Sequence, residues 1–153
     1  MTQLKTTTAL VCPYIEYASS VWSPHKKKDM AALENVQRRA TRMLPQMKNI
    51  EYEQRLNLLK LPTLKFRRMR GDMIEVFKIL KGIYDPTVTT QLLELNNTST
   101  TRGNSLKLAK KQCTKDIKKY SFSYRIVDTW NSLPEQVITA ATINQFKNRL
   151  DKY

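Results

Sequence analysis

Histidine occurs once in this 153-residue chain, cysteine twice and glycine three times, and each scarcity removes a class of chemistry. A serine or cysteine nucleophile needs a neighbouring base, and His25 is the sole imidazole that could serve as one. Cys12 and Cys113 form no Cys-x-x-Cys pair and no Cys/His spacing, which excludes a zinc site and leaves no candidate metal ligands. Gly71, Gly82 and Gly103 make neither a Walker loop nor a dinucleotide fingerprint, so no cofactor is predicted. Long apolar runs are missing too. Ala9-Leu-Val-Cys12 follows a polar N-terminal octet and is too short for a signal peptide, and no stretch reaches the roughly 20 apolar residues of a membrane span. No membrane partner is expected. Two cysteines without a secretory signal point to an intracellular, reducing location, with nucleus and cytoplasm both open. Acidic residues are sparse and dispersed: the six aspartates lie far apart in sequence, whereas a polymerase centre must gather carboxylates around two metals about 4 Å apart. Glu51 and Glu53, beside Tyr52, sit where a helix begins and compensate its dipole.

What is abundant is positive charge. Lys and Arg number 27 against 13 Asp and Glu, a net charge of +14. Such an excess releases condensed counterions on meeting phosphates and favours nucleic acid without reading its sequence. A hydrophobic fraction of 41% with so little glycine predicts an ordered, mainly α-helical protein. The length fits one domain or two small subdomains.

The apolar pattern divides the chain into a helical domain over 1–82, a linker or long loop over 83–105, and a small basic helical subdomain over 106–153. Residues 9–22 read as a helix kinked or started near Pro13, with Tyr14, Ile15, Val21 and Trp22 as core anchors rather than a base-stacking platform. Met30, Leu33, Val36, Ala40, Met43 and Leu44 form a helical stripe over 29–44. A short helix is predicted near 51–60. After Leu61-Pro-Thr63 a longer one runs to Lys81 and stops at Gly82, burying Phe66, Met69, Met73, Val76, Phe77 and Leu80. Leu64, Ile74 and Ile79 lie off that stripe and suggest a second contact surface for a neighbouring domain. Leu92, Leu93 and Leu95 suggest a short helical docking segment. Leu106-Lys-Leu-Ala109 alternates like a strand, leaving room for one short hairpin. Phe122, Ile126, Trp130 and Leu133 share a helical face that ends at Pro134. Thr142 and Gln145 mark a capping box for a last helix facing inward through Ile143, Phe146 and Leu150.

The candidate binding residues follow from these helices. At about 100° per residue, Arg38, Arg39 and Arg42 fall opposite their apolar stripe. Arg67 and Lys78 project from the outer side of the next long helix, with Arg68 and Lys81 less squarely placed. Arg102–Lys119 carries seven basic residues against Asp116 alone, and within it Lys107, Lys110, Lys111 and Lys115 are candidate phosphate contacts. A phosphate-binding face and an ordinary solvated face both fit these cations.

Several strings, in order, resemble a known family: Pro13-Tyr-Ile-Glu-Tyr-Ala-Ser-Ser-Val-Trp-Ser-Pro24, Leu33-Glu-Asn-Val-Gln-Arg-Arg-Ala-Thr-Arg42, Leu61-Pro-Thr-Leu64 with Arg67-Arg-Met-Arg-Gly-Asp-Met-Ile-Glu-Val-Phe-Lys78, Thr101-Arg-Gly-Asn-Ser105, Phe122-Ser-Tyr-Arg-Ile-Val-Asp-Thr-Trp-Asn-Ser-Leu-Pro134 and Phe146-Lys-Asn-Arg-Leu150. Together they resemble the region downstream of the palm, the thumb and tail, in LINE-type, jockey-like non-LTR retrotransposon reverse transcriptases. The resemblance implies a part of an RNA-directed DNA polymerase that holds RNA and DNA by phosphate contacts, without sequence preference, alongside a palm domain in a longer chain. The family's Tyr-x-Asp-Asp turn has no counterpart here, so catalysis is carried over to no residue. The alternative is a non-catalytic truncated or repurposed fragment acting as a protein-interaction or structural module.

Overall fold

The computed structural model describes residues 13–89, 91–96 and 104–153. The fold is mainly α, as the sequence predicts. Its helices are α1 (Ser19–Trp22), α2 (Lys27–Arg42), α3 (Tyr52–Leu59), α4 (Leu64–Leu80), α5 (Pro86–Thr89), α6 (Asp116–Lys119), α7 (Phe122–Ser132), α8 (Glu135–Ile138) and α9 (Ile143–Leu150), with a 3-10 turn at Pro45–Met47. β-structure among the described residues is a single antiparallel bridge, Leu95 to Leu108. The contacts separate into two compact units, Met1–Met69 and Arg70–Tyr153, so the division falls inside α4 rather than in the 83–105 segment.

In the first unit, residues 13–16 are helical, and the chain turns through Ala18, whose φ is +49°, before α1. Ile15 is buried as expected, but Tyr14 is 84% exposed and Val21 81%, so the other proposed core anchors do not enter a core. Helix α2 is also rotated from its predicted orientation: Gln37 and Thr41 are buried, while Val36 and Met43 are exposed. Hydrogen bonds account for the rotation. Gln37 Nε2 donates to the Pro62 carbonyl at 3.2 Å, and Glu34 accepts from the Tyr52 hydroxyl at 2.5 Å and from the Leu64 amide at 3.1 Å. One polar face of α2 thus fastens α3 and the first turn of α4, satisfying an amide that a helix start otherwise leaves unpaired. Lys60 closes α3 in the left-handed region at φ +52°.

The second unit holds the hydrophobic core. Met73, Ile74, Val76 and Phe77 of α4 meet Leu108, the Ile126/Val127/Trp130 face of α7, Leu133, Val137 and Ile138 of α8, Ala140 and Phe146 of α9. Phe146 stacks on Phe77 with ring centroids 4.3 Å apart, and Trp130 lies 6.0 Å from Phe146. Of the residues suspected of serving an outside neighbour, Ile74 is 7% exposed within this core and Leu64 is fully buried in the first unit, which corrects that expectation. Leu93 packs partly on the core, but 93–95 is not helical, and Leu95 stands in the bridge instead. At the end of α4, Gly82 takes φ +65°, and the Ile83 amide reaches back to the Lys78 carbonyl at 3.0 Å, a C-terminal closure that suits glycine.

Side chains of α7 hold segment 104–108 in place of a sheet. Asn131 donates to the Leu108 carbonyl at 3.0 Å and accepts from its amide at 2.8 Å, as a paired strand would. Trp130 Nε1 donates to the Leu106 carbonyl at 2.8 Å. Buried Asn104 donates to the Trp130 and Leu133 carbonyls at 3.2 and 3.1 Å, covering the open end of α7. At α9 the Thr142 hydroxyl accepts from the Gln145 amide at 3.2 Å, and Gln145 Oε1 reaches back to the Ala141 amide at 2.8 Å.

Candidate nucleic-acid interface

The first unit presents its cations on the last turns of α2. Arg38, Arg39 and Arg42 are exposed there, as the periodicity predicts. Arg38 is held: Nη1 donates to Asn35 Oδ1 at 3.1 Å, and the guanidinium lies 4.8 Å from the centre of the Tyr52 ring. Arg55 approaches the same ring at 5.6 Å, and burial together with the Glu34 hydrogen bond pushes the Tyr52 hydroxyl far above the ordinary tyrosine range. The guanidinium groups of Arg39 and Arg42 make no hydrogen bond or ion pair with any described residue, and both favour the carboxyl end of the helix dipole.

The α4 arginines do not join that face. Arg67 is half-buried and pairs with Glu16, Nε to Oε1 at 2.7 Å and Nη2 to Oε2 at 3.0 Å. Arg68 is only 4% exposed, whereas Phe66 and Met69 of the expected apolar stripe are 45% and 42% exposed, so the first turns of α4 bury a different face from the one the periodicity predicts. Both are engaged in the fold rather than displayed for a polyanion. Lys78 lies in the second unit, partly buried between Glu75 Oε1 at 2.8 Å and the Tyr84 hydroxyl at 3.2 Å, and Glu75 keeps its ammonium above the usual lysine range.

The basic segment of the second unit borders a cleft of about 950 Å³. Lys110, Lys111, Lys118 and Lys119 line it, facing Glu94 and Asp128. Lys110 contacts both Asp128 oxygens at 2.8 Å, and Lys111 reaches Glu94 at 2.5 Å. The Lys110, Asp128, Lys111 and Glu94 side chains are between 52% and 74% exposed, and ion pairs so open to water contribute about 0 to 1 kcal/mol, so a phosphate can displace either carboxylate. Lys118 lies 5.5 Å from the centre of the Tyr124 ring and Lys119 5.6 Å from that of Tyr120. A hydrogen bond with Tyr124 raises the Lys118 ammonium above its ordinary range, so it stays charged at neutral pH. Lys115 is exposed at the start of α6, where its carbonyl accepts from the free Cys113 thiol at 3.3 Å, and Lys107 is half-buried.

The structure therefore brings Lys110 and Lys111 into one cleft and adds Tyr120 and Tyr124, which periodicity alone had not marked. Their spacing of four, with a lysine pair just before them, is the signal that could have found them. Arg125 at the same cleft belongs to the fold: Nε and Nη2 each contact an Asp72 carboxylate oxygen at 3.0 Å. Among the described residues no group of three or more His, Cys, Asp or Glu could hold a metal ion, and no helix is long and apolar enough to cross a membrane. No family model, curated protein or solved structure matches the chain.

Proposed function

We propose that the chain is a nucleic-acid-binding module, a thumb-and-tail piece of a non-LTR retrotransposon reverse transcriptase, which grips RNA and RNA–DNA duplexes through backbone phosphates and performs no bond chemistry itself. The observation that carries this reading is the uneven use of cations. Arg39 and Arg42 have no carboxylate among the described residues, and four cleft lysines face two carboxylates. Phosphate contacts of this kind position a nucleic acid without reading its bases. Nuclear and cytoplasmic residence, and association with a palm domain in a longer chain, belong to the same proposal.

The test is a salt titration of binding to an RNA hairpin. With about five phosphates neutralised, log affinity should fall against log salt with a slope of roughly −4 to −5. Reversing Arg39 and Arg42 to glutamate should weaken binding and flatten the slope by about two. Affinity that ignores salt and is unchanged in the reversed variant would refute the proposal.

A second reading is favoured by one feature of the first unit: Tyr14, Tyr17, Val21, Met43 and Leu58 are each more than 60% exposed. So much open apolar surface suits a repurposed fragment that meets another protein. Sedimentation separates the readings, since this one predicts concentration-dependent self-association with no response to RNA.

A further inference from the structure

We infer that the cleft of the second unit takes an unpaired stretch of nucleic acid, with bases stacking on Tyr120 and Tyr124 while Lys118 and Lys119 meet the adjoining phosphates. The inference rests on the proposed nucleic-acid reading and narrows it to one site and one ligand form.

Three observations converge on this cleft. Its volume of about 950 Å³ lies at the upper end of the roughly 300 to 1,000 Å³ usual for ligand pockets, so it can admit a few flexible units but not the body of a duplex. Two tyrosines line it four residues apart, Tyr120 at the end of α6 and Tyr124 in the first turns of α7. Each has a lysine beside its ring, at 5.6 and 5.5 Å, and neither lysine has a carboxylate partner among the described residues. A positively charged groove interleaved with aromatic faces is what a single strand requires, because every unpaired base offers a π-face and every linkage a phosphate. A duplex hides its base faces in the stack and could engage only the lysines. An acidic peptide would likewise use the lysines and leave the rings without a role.

The anchoring of the cleft supports a preformed site. Arg125, held by Asp72 at 3.0 Å, also donates to the Tyr120 carbonyl at 3.5 Å, which ties the α6–α7 turn to α4 within the same unit. Ordering entropy is therefore largely spent in folding rather than on binding.

The experiment measures fluorescence anisotropy of the full chain with three labelled RNAs: an adenosine decamer, an abasic decamer of the same backbone, and a blunt hairpin. The adenosine decamer should bind about ten-fold or more tighter than the abasic one. Replacing both rings, Tyr120→Leu with Tyr124→Leu, should remove that difference and leave hairpin affinity within two-fold, and Tyr120→Phe with Tyr124→Phe should restore it. Helical signal in circular dichroism verifies that the leucine variant folds, and single variants, Tyr120→Leu or Tyr124→Leu, test the stacking requirement if the double one does not. Equal affinity for the base-bearing and abasic decamers overturns the inference, as does equal weakening of decamer and hairpin, or displacement of the decamer by polyglutamate with the tyrosine variants unaffected. In those outcomes salt-dependent hairpin binding persists and the broader function survives; loss of all salt-dependent RNA binding sinks both.

Discussion

Glu34 serves two helices from a third, receiving the Tyr52 hydroxyl and the Leu64 amide on its two carboxylate oxygens. The protonated Tyr52 hydroxyl is what makes the first contact, and its proton is held far more tightly in the fold than in an open chain, first by burial and then by Glu34. The unfolded tyrosine ionises near pH 10. Above that value the unfolded chain gives up a proton that the folded chain keeps, so stability is fully present below about pH 10 and declines as pH climbs beyond it. Tyr52→Phe should be less stable than the parent at neutral pH by about 1 kcal/mol and should lose less on going from pH 9 to 11. Urea midpoints at the two pH values check this, and Tyr84, whose hydroxyl Glu75 also holds protonated, and Lys78, whose ammonium Glu75 holds charged, add slope of the same sign. The Asp72–Arg125 pair makes a sharper case, since Asp72 is 9% and Arg125 17% exposed at the side chain. Arg125→Met takes both guanidinium contacts from a buried carboxylate and should cost about 3 to 5 kcal/mol, whereas Asp72→Leu combined with Arg125→Met should recover most of it. Neither contact could be read from spacing. Asp72 and Arg125 are 53 residues apart, and nothing local in either stretch distinguishes a paired charge from a solvated one.

At the scale of elements, legibility followed where each helix gets its stability. Helix α7 and helix α9 bury the faces that periodicity picked, Ile126 with Trp130 and Phe146, because apolar packing dominates both. Helix α2 departs because hydrogen bonding competes there: buried Gln37 and Thr41, together with Glu34, turn Val36 and Met43 outward, and a count of apolar residues cannot see that. Arg68 was misplaced for a related reason, since a guanidinium scores as outward-facing wherever it sits, yet here it is buried. Its absence from the basic face, and the Glu16 contact of Arg67, leave the α2 arginines and the cleft lysines as the cations to test. Capping was more transparent. The Thr142 and Gln145 spacing announced α9, and the hydroxyl does accept from the Gln145 amide, although the glutamine side chain reaches the Ala141 amide rather than that of Thr142. Thr142→Ala should therefore cost about 1 kcal/mol, and Thr142→Ser should retain most of the stability, as read from thermal midpoints.

For the whole chain, the two units differ in how much apolar surface they enclose. The second unit surrounds Trp130, Phe77, Phe146, Ile126, Ile138 and Val76, each fully buried, whereas among the described residues of the first unit the buried apolar ones are Ile15, Leu56 and Leu64. Burial contributes about 25 cal/mol per Å² and must offset an ordering cost that scales with residue number, so the first unit has the smaller margin. Each unit also carries its own reporter, Trp22 at 40% exposure in the first and Trp130 at 0% in the second. Rising urea should therefore remove helical circular dichroism in two steps, with loss of α2 and α3 before the fluorescence of Trp130 shifts to the red. A Trp22→Phe variant isolates that later signal. Amide exchange orders the same events residue by residue, with amides of α2 and α3 expected to exchange at least ten-fold faster than those of α7 and α9. Added RNA hairpin should raise the first midpoint if the α2 arginines bind it, because a ligand that prefers the folded form shifts unfolding by mass action. A single transition, with Trp130 emission and helical signal changing together and equal protection throughout, would show that the smaller apolar core of the first unit does not set its stability.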